Sequence, residues 1–275
     1  LKNLAQFRER ILGTTNVALD FGELANQQSL PAEKILLERC EDALKILAQF
    51  SREDQMRIRD VLKIIISGQE LDLQRFASAN EKSIVALQND SELDDYTYRV
   101  AGCVGEFWTK MCRTHLFPHG LDDKFLIENG IRFGKGLQLV NILRDLPRDL
   151  RQGRCYLPAE KLAELGLRPI DLLQPEMESR LRPIYTHYLN SAEAHLVAGW
   201  NYTNLIPRGQ IRLRLACAWP ILIGIRTLNK LRAENPLDSS RHVKITRSEV
   251  RQIVFASLWK IPFSPAWKRQ FPADR

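Results

Sequence analysis

The sequence predicts an all-α fold, on three observations. Apolar residues recur every three or four positions along most of its length. Nowhere do apolar and polar residues alternate over the span of a strand. No segment repeats another, which sets aside solenoids and propellers. A chain of 275 residues can bury a sizeable core. Helix packing within one domain over residues 1–275 is therefore expected, with no boundary inside it.

The elements follow in order. Residues 4–12 read as a first short helix and 16–28 as a less regular one. Pro31 opens a helix carrying Ile35, Leu36, Cys40, Ala43, Leu44 and Leu47, with Ser29 as its cap. Ser51 stands before Arg52, Glu53 and Asp54 and caps a helix over 53–76. Residues 89–93 read as a turn, 94–116 as a helix and 118–120 as a break. Residues 121–150 hold a short helix and then a central one beginning near Phe133. A basic loop, 151–158, precedes short helical pieces broken by Gly166, Pro169 and Pro175. Long helices over 177–205 and 211–231, a linker at 235–240 and a last helix at 248–261 complete the chain.

The stretch 133–158 is the most informative. Leu137, Val140, Leu143 and Leu146 keep an apolar face at helical period. Asn141, Asp145 and Asp149 stand four apart and share one side, drifting about 40° per step. Gln138 joins that side. Carboxylates inside an apolar helix are costly to bury unless their charge is met. Mg²⁺ meets it with one or two carboxylates, completing its shell from water and phosphate. A second reading fits the same residues: Asp145 and Asp149 pair with Arg144, Arg148 and Arg151 on a solvated face. Pro147, between the aspartates, removes a backbone hydrogen bond and is expected to kink the helix.

Two other stretches stand out. Ala101, Gly102 and Gly105 fall at helical spacing within 94–108. Glycine inside a helix costs about 1 kcal/mol against alanine, so close approach of another helix or of a ligand is expected there. Gln69 and Asp72 lie one turn apart at the end of an isoleucine-rich helix, where such a pair is either a solvated cap or part of a site.

Residues 141–158, NILRDLPRDLRQGRCYLP, resemble the second aspartate-rich motif of the squalene/phytoene synthase family. Asn141, Arg144, Asp145, Asp149, Gly153, Arg154, Tyr156, Leu157 and Pro158 all match it. The segment from Tyr96 to Gly105 resembles the same family's tyrosine segment, and the likeness runs from about Ile35 to Ser257. It implies an isoprenoid (terpenoid) synthase fold, a helical bundle around a central cavity. It implies a prenyltransferase of isoprenoid biosynthesis that needs Mg²⁺ and joins two prenyl diphosphates head to head. The substrates would be farnesyl or geranylgeranyl diphosphate. The path would run through a cyclopropyl diphosphate to squalene, phytoene or a related product. By the same likeness Asp145, Asp149 and Asn141 hold the metal, and Tyr96 lies at the reacting carbons. Val100, Ala101 and Gly102 wall the prenyl chains. Arg144, Gln138, Asn141, Gln69, Arg154 and Tyr156 bind substrate. The chain lacks GxGxxG, but NADPH can bind without that pattern and stays admissible as reductant.

The family carries a first aspartate-rich motif as well, and it is not found in its place. Asp20 and Glu23 have the wrong spacing, and Asp90, Glu92, Asp94 and Asp95 read as the acidic start of a helix. The first motif is therefore expected upstream of Leu1. Its true loss would leave a non-catalytic helical protein of the same fold, with an assembly or binding role.

The net charge of +7 favours anionic partners: phosphorylated substrates or anionic membrane surfaces. A nucleic-acid partner would rest on net charge alone and is not expected. Five cysteines without a CxxC pattern argue against a disulfide framework or zinc and for a reducing, cytoplasmic setting. The apolar run 215–225 contains Pro220 and is shorter than the roughly 20 residues a span needs. His115 with His119, and His187 with His195, read as surface residues. Near the C-terminus, Trp259, Phe263, Trp267 and Phe271 lie among Lys260, Lys268 and Arg269. Such a segment either rests on an anionic membrane as a peripheral contact or packs on the domain. Oligomeric state has no signal in the sequence.

Overall fold

A computed structural model describes residues 2–241 and 243–271. Leu1, His242 and residues 272–275, the end of the basic aromatic segment, lie outside the described residues. The chain forms two compact units, one up to Gln74 and one from Arg75 onward.

The first unit holds α1 (Lys2–Leu12), α2 (Gly22–Asn26), α3 (Pro31–Glu38), α4 (Cys40–Leu47) and nearly all of α5 (Arg52–Arg75). Ion pairs tie it together: Arg8 to Glu70 at 2.6 Å and Arg10 to Glu41 at 2.9 Å. The single helix expected from Pro31 onward is two helices. Arg39, at φ −110° and ψ 18°, ends α3 and starts α4. Leu30, not Ser29, holds the cap position of α3, and Pro31 follows where a missing N–H costs nothing. Ser51 caps α5 as expected, its Oγ accepting from the Asp54 N–H at 3.2 Å.

The second unit opens with α6 (Asp90–Thr97), a π-helical turn (Tyr98–Gly102) and α7 (Cys103–His115). It continues with α8 (Asp123–Arg151), α9 (Ala159–Glu164), two short 3₁₀ turns, α10 (Glu178–Leu205), α11 (Ile211–Ala233), α12 (Arg247–Lys260) and α13 (Ser264–Lys268). Residues 89–93 are not a turn. Asn89 Oδ1 accepts from the Glu92 N–H at 3.0 Å and caps α6, whose first turn carries Asp90 and Glu92.

α8 is the centre of this unit, packed on α10, α7, the π turn and α11. The short and central helices expected over 121–150 are one helix of 29 residues. Glycines within it mark close packing, not breaks. A Cβ built on Gly130 would come 2.9 Å from the Gly105 carbonyl oxygen of α7. Nor does Pro147 break the helix. Its missing N–H leaves the Leu143 carbonyl without its usual donor, and the buried Tyr185 hydroxyl of α10 donates to that carbonyl at 3.0 Å. Asp145 and Asp149 therefore stay on one continuous helix.

After α8 the chain turns at Gly153, which has φ +81°, and where a Cβ would lie 2.2 Å from the Asn80 nitrogen. Two-residue strands follow, β1 (Val85–Ala86) and β2 (Arg154–Cys155), parallel, with Val85 opposite Arg154. A strand of two residues leaves no alternation to read. The pair fixes the loop after α8: the Val85 N–H donates to the Gly153 carbonyl and the Leu87 N–H to the Cys155 carbonyl. No helix among the described residues is long and apolar enough to cross a membrane.

Candidate functional site

Acidic and basic side chains of α8 gather in its C-terminal third. Asp145 is held by its neighbour Arg144, with Nε to Oδ1 at 2.8 Å and Nη2 to Oδ2 at 2.6 Å. The Asp145 carboxylate, and less strongly that of Asp149, raise the Arg144 guanidinium above its ordinary pKa. Asp149 also faces Cys155, whose thiol burial pushes up to about 12 with that carboxylate adding to the shift. Gln138 is half-buried and Asn141 exposed on the same side of the helix. The arginine pairing foreseen for Asp145 is thus present.

Arg144, Arg148 and Arg151, at i, i+4 and i+7, line one wall of a cleft of about 310 Å³ together with Asp145, Pro147 and Gln152. The opposite wall is the linker after α11, through Ser239 and Arg241. Arg151 donates to the Ser239 hydroxyl. Arg241 is set in place by Glu234 at 3.0 Å and Asp238 at 3.6 Å. Four arginines and one aspartate, with Arg241 also paired to Glu234 and Asp238, give this cleft donors suited to a multiply charged anion. Sequence reasoning treated Arg148 and Arg151 only as partners of the aspartates and missed Ser239 and Arg241. The i, i+4, i+7 spacing could have found the first two. Arg241 lies 90 residues from Arg151, in a linker with no local signal.

Tyr96, on the last turn of α6, is buried and stacks on Tyr156 at 4.7 Å between ring centroids with 26° between planes. Phe76 meets Tyr156 edge-on at 5.4 Å, and the Arg154 guanidinium lies over the Phe76 ring at 5.5 Å. The strand pair after α8 is what delivers Tyr156 to Tyr96. These rings form a dry aromatic patch with a cation at its edge. Tyr98 faces elsewhere. Its hydroxyl donates to Glu106 at 3.0 Å, Lys135 sits over its ring at 5.8 Å, and burial pushes its pKa up to about 12.

The small residues after Tyr96 make the close approach of α7 and the π turn to α8. A Cβ on Gly105 would lie 1.9 Å from the Gly130 carbonyl oxygen, and one on Gly134 would lie 2.2 Å from the Ala101 carbonyl oxygen. Gly102 faces Ile131 and Lys135. Val100 packs against the main core. Helix packing is therefore one role of Ala101, Gly102 and Gly105.

Gln69 stands on α5 in the first unit, next to Glu70, the partner of Arg8. The acidic start of α6 holds the second unit together. Asp94 pairs with Lys135 at 2.6 Å, Asp95 with Arg99 at 2.8 Å, and Tyr188 donates to Asp90 at 2.6 Å. His195 is not a surface residue. It lies half-buried against Gly136, and burial, then Arg132 and Lys135, push its imidazole down to about 4.

No group of three or more acidic, histidine or cysteine side chains gathers as a metal site among the described residues. Asp145 and Asp149, one turn apart beside the arginine cleft, fit a divalent cation shared with a phosphate ligand. They are too few to hold one alone.

The helical architecture is that of the isoprenoid synthases. TcSQS in complex with a ligand superposes with a TM-score of 0.71 at 19% identity, over 93% of this chain and 70% of that one. The squalene/phytoene synthase family model matches residues 2–249, and the chain belongs to that family. Presqualene diphosphate synthase of Zymomonas mobilis subsp. mobilis is 30% identical over 187 residues, 66% of this chain and 57% of that protein. The 15-cis-phytoene synthase of Enterobacter agglomerans is 32% identical over 142 residues, 50% of this chain and 43% of that protein. The matches thus span about half the length of these curated relatives.

Proposed function

We propose that the protein is a cytoplasmic prenyltransferase that joins two prenyl diphosphates head to head. The observation that carries this reading is the arginine cleft beside Asp145 and Asp149 on α8. The names of the relatives, a presqualene diphosphate synthase and a phytoene synthase, support the substrate class. The free thiols of all five cysteines support a reducing compartment.

The diphosphate of the first substrate enters between Arg144, Arg148 and Arg241. Its oxygens compete with Asp145 for the Arg144 guanidinium, so the Arg144–Asp145 pair is a resting arrangement that the substrate opens. Asp145 and Asp149 would then hold Mg²⁺, with Asn141 beside them; when bound it offsets charge on the departing diphosphate. Positive side chains around that group favour loss of diphosphate and formation of an allylic cation. Tyr96 and Tyr156, stacked on each other, would border the cation and keep water from it. Attack by the second substrate's double bond and loss of one proton beside Tyr96 give a cyclopropyl diphosphate. The balance is two prenyl diphosphates in, one cyclopropyl diphosphate, one diphosphate ion and one proton out. Ionisation of that product ends in phytoene or dehydrosqualene by proton loss. With NADPH as hydride donor it ends in squalene.

The test is incubation of the full-length protein with farnesyl or geranylgeranyl diphosphate and Mg²⁺, with and without NADPH, followed by product mass. A product carrying both prenyl chains is expected. Recovery of only unreacted or hydrolysed substrate would favour the non-catalytic alternative, for which the closed Arg144–Asp145 pair speaks.

A further inference from the structure

We propose that the C-terminal face of the second unit, built by α12 and the turn that follows it, is a docking surface for an anionic lipid bilayer. Arg251, Phe255, Leu258 and Trp259 fall at i, i+4, i+7 and i+8 and share one face of α12. Ile253 and Ser257 form the opposite, buried face. The outer face is apolar and open: Trp259 is 79% exposed and Phe255 70%. Phe263, just past the helix, continues the patch. Tryptophan and phenylalanine this exposed on an ordered helix are unusual for a surface that meets only water.

The segment is held rigidly from beneath. Trp267 is buried, stacks on Trp200 at 5.3 Å and donates through its indole N–H to Asn204 at 2.9 Å. Phe271 stacks on Trp200 from further along at 5.8 Å. The C-terminal aromatics thus divide: Trp267 and Phe271 fasten the segment, while Trp259 and Phe263 project from it.

Charge identifies what the face meets. Residues 250–271 contain Arg251, Lys260, Lys268 and Arg269 and no aspartate or glutamate. Arg208, from the loop between α10 and α11, donates to Ser264 at 3.2 Å and brings a further cation beside Phe263. Exposed aromatic rings on a segment whose only charged side chains are cationic fit the interface of a bilayer carrying anionic headgroups. A second copy of the chain would bring the same cations against themselves, which disfavours pairing through this face.

The test is flotation of the full chain with vesicles of phosphatidylcholine, with and without phosphatidylglycerol. Wild-type protein is expected to float with the anionic vesicles and not with the neutral ones, less so as salt rises. Phe255→Ser/Trp259→Ser is expected to lower partition by about tenfold or more. Arg251→Glu/Lys268→Glu should lower it by a comparable factor and remove most of the salt dependence. All these side chains point outward, so thermal melts of both variants should match wild type. Equal flotation of wild type and both variants would overturn the proposal. So would equal binding to neutral and anionic vesicles. Sedimentation velocity supplies another refutation: a dimer that needs Trp259, without vesicle binding, assigns the face to self-association.

Discussion

Tyr185→Phe removes a single oxygen from a fully buried ring. That oxygen is the donor to the Leu143 carbonyl at 3.0 Å, four residues before Pro147. Without it the carbonyl has neither its helical N–H nor a replacement. An orphaned buried acceptor costs about 1–3 kcal/mol. At about 2–4 °C per kcal/mol for a unit of this size, melting should fall by several degrees. The mechanism is separable from simple loss of a hydroxyl. Pro147→Ala restores an N–H that reaches the same carbonyl, so Tyr185→Phe should cost far less in that background. A double-mutant cycle by urea unfolding reads the difference directly, and a coupling of about 1 kcal/mol or more is expected. Equal cost in both backgrounds would refute the view that Tyr185 carries α8 across its proline.

Three further predictions concern α8 and its neighbours. Asp145→Asn, and separately Asp149→Asn, should leave melting nearly unchanged, since the Arg144 pair is partly solvated, while lowering turnover about a hundredfold or more in steady-state assays. Gly105→Ala should destabilise by about 1–3 kcal/mol in denaturant titration, because its Cβ would lie 1.9 Å from the Gly130 carbonyl oxygen and α7 must move off α8. His195 makes stability depend on pH. The unfolded chain binds a proton on it below its ordinary value of 6.5 but the folded chain only below about 4. Stability should therefore fall as pH drops from 6.5 to 4, by up to about 3 kcal/mol, and stop falling on this account below that. Unfolding free energies measured across that range should show the slope in wild type and lose it in His195→Gln.

Much of the candidate site was legible because its residues are close in sequence. The spacing of Asn141, Asp145 and Asp149 places them on one side of a helix, and that helix is continuous. The alternative pairing of Asp145 with arginine was also readable, since Arg144 is adjacent. Features that depend on distant partners were not. That α8 runs on through Pro147 was not readable, because the missing donor comes from Tyr185, 38 residues on. Tyr96 meets Tyr156 only through a two-residue strand pair, too short to leave a pattern. Arg241 reaches the cleft from a linker that looked like a connection alone. The glycines near Tyr96 announced a close approach but not its partner, which the fold supplies as Gly130 and Gly134.

The central claim is that the arginine cleft on α8 receives the substrate's diphosphate, and its most direct test is calorimetric binding of a non-ionising prenyl thiodiphosphate in the presence of Mg²⁺. Wild-type protein should be compared with Arg148→Gln and Arg241→Gln, with thermal melts as the control for folding. Each arginine supplies charge-assisted hydrogen bonds of about 1.5–3 kcal/mol, so each variant should bind about tenfold to a hundredfold more weakly with little change in melting. Unchanged affinity in both variants would contradict the assignment of the cleft and the function built on it.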